Sequence, residues 1–193
     1  MGACFMSVDR KTRHVSIVML LLTFSLFFSE RTIQAKLTER PPYERIYQEI
    51  GYKEIDVALG EAETHFDHKI TLPLRVPPVA FTHQFARFSD LDGAMNDSFE
   101  ITMISDQSSE NHYKIVIRPL AEKLIFKDES IVGTYQLLDQ SEAHYIRLEG
   151  FDLLVFEKDI WQYKLMVDKR ISDIVTPQVL VEIANSIGYP VEQ

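Results

Sequence analysis

A chain of 193 residues, 46% hydrophobic and 25% charged, is long enough for one domain with a sizeable core and too apolar to be disordered. The formal charge of −9 deepens to −11 when the first 35 residues are set aside, since these hold Arg10, Lys11, Arg13 and Arg31 against only Asp9 and Glu30. Such a body repels phosphate backbones, so nucleic acid is excluded as a partner. The single cysteine, Cys4, excludes an intramolecular disulfide and any cysteine-rich metal cluster.

The N-terminal segment carries the strongest functional signal. Arg10, Lys11, Arg13 and His14 form a basic flank, Val15 to Phe28 is an apolar run broken only by Ser16, Thr23 and Ser25, and Ile33-Gln34-Ala35 is an acceptable cleavage sequence. A bilayer-spanning helix needs about 20 residues, and this run is shorter, so residues 1–35 read as a removable signal peptide, with a signal anchor as the alternative. Cys4 precedes the run, whereas a lipid-attachment cysteine follows one, so lipoprotein anchoring is disfavoured. The expected location is outside the cytoplasmic membrane, touching it only through an uncleaved N-terminal segment.

Residues 36–42, with charge and a Pro-Pro pair, read as a linker, and 43–188 as a single domain with a short tail at 189–193. Tyr43, Ile46, Tyr47 and Ile50 have helical spacing, Gly51 interrupts it, and Ile55, Ala58, Leu59 and Ala62 resume it to about Phe66. From Lys69 to Leu72 the pattern turns strand-like, and Pro73, Pro77 and Pro78 confine that stretch to an edge. Further strands are predicted at 82–88, 99–103, 113–117, around Leu124 and Phe126, and at 131–138, 145–148, 153–156 and 160–167. Thr176-Pro177 then caps and opens a helix whose stripe runs through Val179, Leu180, Ile183, Ala184 and Ile187 before Gly188 ends it. The expected fold is α+β: a curled antiparallel β-meander of about six to eight strands, one face wet and the other covered by the C-terminal helix and the N-terminal helical region.

Candidate sites are sparse. His65 and His68 lie three apart at a helix end with His83 beyond, a conceivable zinc set; two solvated surface histidines are the alternative, and the Glu of a metalloprotease H-E-x-x-H is missing. Asp90-x-Asp92-Gly93 with Asn96 and Asp97 resembles a calcium loop only loosely, because the glycine falls fourth rather than sixth; a self-capping turn accounts for it. Tyr113, Tyr135, Tyr145, Trp161 and Tyr163 could line a concave sheet face for an apolar ligand, or else fill the core. No nucleophile elbow or phosphate loop is found, and no catalytic residue or cofactor is assigned.

The runs PPVAFTHQFARF (77–88), ENHYKIVIRP (110–119) and WQYKLMVDKRISDIVTPQVLVEIANSI (161–187) resemble an uncharacterised family of exported or membrane-tethered domains from Bacillus and its relatives. The closing pattern of aromatic strand, turn and helix is similar to the extracytoplasmic domain behind some anti-sigma-factor-like and sporulation-associated envelope proteins. The resemblance implies a non-enzymatic binding or accessory domain of a Gram-positive envelope, with an envelope protein or a lipid as partner, and it brings no catalytic residues. The alternatives are a carrier holding a lipid or lipoprotein acyl chain on the sheet face and, third, a metal-assisted hydrolase.

Overall fold

The structure, a computed structural model, describes residues 42–90 and 97–188. The expected signal segment, nearly all of the linker, most of the acidic turn after Asp90 and the C-terminal tail lie outside the described residues. Within them the chain forms helices α1 (Tyr43–Glu49) and α2 (Ile55–Phe66) and strands β1 (His83–Ser89), β2 (Ser98–Ile104) and β3 (His112–Pro119). Strands β4 (Ile131–Gln136), β5 (Glu142–Arg147), β6 (Phe151–Lys158) and β7 (Trp161–Asp168) follow, and α3 (Pro177–Asn185) closes the fold.

The seven strands make one antiparallel sheet in the order β1-β2-β3-β7-β6-β5-β4. Two runs of consecutive strands are therefore joined where β7 returns to pair with β3, and the meander is interrupted once. The sheet is open, with β1 and β4 as its edges, and the strong curl expected from the sequence is not found.

Alternation sets the two faces. Phe99 and Ile101, Tyr113, Ile115 and Ile117, and Trp161, Tyr163, Leu165 and Val167 are buried together beneath the helices. Ala58 and Ala62 of α2, and Leu180, Ile183 and Ala184 of α3, close over that face. The break between α1 and α2 falls at Gly51, whose φ of 90° is the left-handed conformation that favours glycine. The Thr176 side chain accepts from the Val179 N–H, Pro177 occupies the first turn, and Gly188 lies just past the helix with φ of 73°. Replacing Thr176 with alanine orphans that donor and is expected to cost about 1 kcal/mol in a denaturant titration.

Two expected strands are absent. Residues 69–72 run over the core outside the ladder, because side chains take their backbone acceptors: Trp161 Nε1 donates to the Lys69 carbonyl at 3.0 Å and the Tyr163 hydroxyl to that of Thr71 at 2.9 Å. The segment around Leu124 and Phe126 is a strap between β3 and β4, carrying 3-10 turns at Leu120–Glu122 and Asp128–Ser130. Those strands stand four positions apart in the sheet, about 19 Å at the usual spacing, so the strap must cross β7, β6 and β5. It does so on the face that the helices α2 and α3 leave uncovered. The Gln162 amide fastens it in both directions, donating to the Leu124 carbonyl and accepting from the Leu124 N–H, each at 2.9 Å. Beneath it Ile146, Leu153 and Val155 form a second buried cluster with Phe126, Ile131, Phe151 and Met166 packed against them. The face expected to be wet is thus partly dry.

Candidate functional site

The five aromatic candidates share one face, the helix-covered one. Tyr113, Tyr145, Trp161 and Tyr163 are buried in the main core, and Tyr135 packs against it. Tyr163 stacks on Phe156 with centroids 5.3 Å apart, and the Tyr145 hydroxyl donates to the buried Asp152 carboxylate at 2.7 Å. Burial raises the hydroxyl pKa values of Tyr113, Tyr145 and Tyr163 above the ordinary phenol value. These rings fill the space a ligand would have needed on that face.

The three histidines do not converge on one another. His68 Nδ1 meets the Phe66 carbonyl at 2.9 Å. His83 sits on β1 between the Thr82 hydroxyl at 2.7 Å and a Glu44 carboxylate oxygen at 3.0 Å. His65, in the last turn of α2, lies 2.9 Å from Asp97 Oδ2 through Nε2 and 3.9 Å from Asp90 Oδ2 through Nδ1. The donor atoms of His65, Asp90 and Asp97 fall within 4.8 Å of one another, a set that could hold a metal ion. Asp97 Oδ1 is buried without a hydrogen bond. The carboxylates of this group come from the turn read as self-capping, and the pairing of Asp97 with His65 across the fold was not visible in the local spacing.

The opposite face offers a cavity. A space of about 460 Å³ lies between the strap and the sheet, lined among others by Leu124, Ile125, Phe126, Ile146 and Val155. Its polar lining includes Lys123, Glu142, His144 and Gln162. Ile125, on the strap, is 88% exposed, a position where an apolar side chain gains nothing from the fold as it stands. The volume falls within the several hundred Å³ of ordinary small-molecule sites, which are also mostly apolar with a few polar groups.

Beside the cavity the middle of the same face is charged. Glu100 on β2 accepts from the Tyr52 hydroxyl and lies 3.2 Å from Lys114 Nζ and 3.5 Å from Arg87. Burial pushes its carboxyl pKa up, but the Tyr52 hydrogen bond and the Lys114 and Arg87 charges outweigh it and hold the group below the usual carboxylate value. Further along, Lys164 on β7 is 9% exposed and Arg118 on β3 is 7% exposed. Sequence reading assigned neither a role. The available signal was a lysine in the apolar run Trp161–Val167, on the parity opposite the aromatics.

No protein-family model, no curated protein and no solved structure matches the chain.

Proposed function

We propose that this domain is a non-enzymatic binding module, exported and acting in a Gram-positive cell envelope, and that it holds its ligand in the cavity between the strap and the sheet. The observation that carries this reading is the cavity itself: lined by apolar side chains of both strap and sheet with a few polar groups among them, and bounded by a strap fastened through Gln162. The apolar lining favours an acyl chain or a similarly apolar group over a sugar or a nucleotide. On this reading the carrier's ligand lies on the face opposite Tyr113, Tyr145, Trp161 and Tyr163, which fill the core.

The reading is tested by native mass spectrometry of the protein purified gently from its own exported fraction. The expected result is a retained small molecule, lost in the variant His144→Trp, in which an indole replaces a lining imidazole. Bare polypeptide together with hydrolysis of an envelope substrate that disappears in His65→Ala would contradict it. That outcome belongs to the second reading, a metal-assisted hydrolase, which one observation favours: the convergence of His65, Asp90 and Asp97.

A further inference from the structure

We propose that Lys164 and Arg118 form a recognition site for the anionic head, a carboxylate or a phosphate, of a ligand whose apolar part occupies the neighbouring cavity. This rests on the binding function proposed above and gives its ligand a chemical class.

Two long cations are held side by side on the central strands. Val116 lies opposite Lys164 and Arg118 opposite Gln162 in the β3–β7 pairing, so Arg118 and Lys164 are diagonal neighbours on one face, within reach for side chains of their length. Both are more than nine-tenths buried. A buried charge is strongly disfavoured unless an opposite charge and hydrogen bonds compensate it. Among the described residues the Lys164 ammonium makes no hydrogen bond or ion pair, and the Arg118 guanidinium has only the Glu122 carbonyl oxygen at 3.4 Å, its Nε buried without a partner.

Three of the surrounding carboxylates are already engaged. Glu100 is shared between Lys114 and Arg87, Glu157 pairs with Lys123 at 2.7 Å, and Asp168 pairs with Arg170 at 2.7 Å. Glu122 acts on Arg118 through space without closing an ion pair, and its Oε2 is itself buried without a hydrogen bond. Burial depresses the Lys164 ammonium to about 8, with Arg118 and Lys114 adding to the effect and Glu100 opposing it. An incoming anion would complete a compensation that Glu122 and Glu100 supply only through space.

The position fits an amphiphile. Val155, a cavity-lining residue, is directly opposite Lys164 on β6. Gln162, also lining the cavity, lies two residues before Lys164 on the same face and opposite Arg118. The two cations therefore neighbour the cavity on its β7 and β3 side; of the carboxylates that line it, Glu157 lies opposite Gln162 and is paired with Lys123. An anionic head is drawn to the Lys164 side and its chain is left over Val155 and Ile146.

Calorimetry on the full chain with decanoate, decyl phosphate, decanol and decyltrimethylammonium tests this. Charge-assisted hydrogen bonds predict that one or both anions bind about tenfold or more tighter than decanol, and that the cation binds worst. Lys164→Met and Arg118→Met should each bring the anions toward the affinity of decanol, and Lys164→Arg should retain the preference. The stronger of decanoate and decyl phosphate identifies the head group. Equal binding of decanol and both anions, or a preference that survives both methionine substitutions and so belongs elsewhere, would overturn the proposal while leaving the cavity reading intact. If none of the four probes binds, the cavity reading fails as well.

Discussion

Replacing Tyr163 with alanine is expected to destabilise the domain by about 3–5 kcal/mol, a large share of the roughly 5–15 kcal/mol that holds such domains together. The ring is wholly buried, stacked on Phe156, and its hydroxyl donates to the Thr71 carbonyl. The substitution removes the ring from the centre of the core and releases the segment that crosses it. Tyr163→Phe separates the two contributions, since it keeps the ring and orphans only the carbonyl, which costs about 1–3 kcal/mol. Urea titrations of both variants measure the difference. A ligand-contact role for Tyr163 would instead leave stability nearly unchanged and weaken binding.

Replacing Lys164 with methionine is expected to act in the opposite direction, stabilising the ligand-free protein at neutral pH. The folded-state pKa of this lysine is about 8, below its ordinary value of 10.5, so between those two values the unfolded chain binds the proton that the folded chain has released. Stability contributed by this group therefore rises with pH across that window, and below it the full cost of burying the ammonium is present. At roughly 1.4 kcal/mol per pKa unit the cost is on the order of 3 kcal/mol. Methionine keeps an unbranched apolar shaft over Val116 and Val155 and carries no charge. The variant should be more stable near pH 7 and should lose the part of that rise that falls between about pH 8 and 9.5, a range that stops short of ordinary tyrosine ionisation. A lysine that merely reaches into water would show neither effect. A residue that destabilises the empty fold and compensates a ligand's charge is the usual exchange of stability for function.

The parts of this fold legible in the sequence are those set by local chemistry. The cap at Thr176, the proline behind it and the glycine at 188 bound α3 because they act within one turn. The apolar positions of the closing strand, Tyr163, Leu165 and Val167, share one face in the structure, whereas Ile160, read with them, precedes the strand and is exposed. Leu124 and Phe126 imitate a strand because two apolar residues at a spacing of two also suit a strap laid across a sheet. Strand order was not legible: nothing local says that β7 returns between β3 and β6. That return makes β7 a central strand, so that Lys164, readable as a wet-face residue, is buried instead. His65 and Asp97 stand 32 positions apart, and only the pairing of β1 with β2 and their docking under α2 bring them together.

The most direct test of the binding face is methyl NMR of the full chain titrated with decanoate. The account predicts that the methyl groups of Ile131, Ile146 and Val155, which line the cavity, shift progressively to saturation. Those of Ile101, Ile115 and Ile117, on the helix-covered face, should stay in place. Shifts confined to the second set, or none at saturating decanoate, would contradict it.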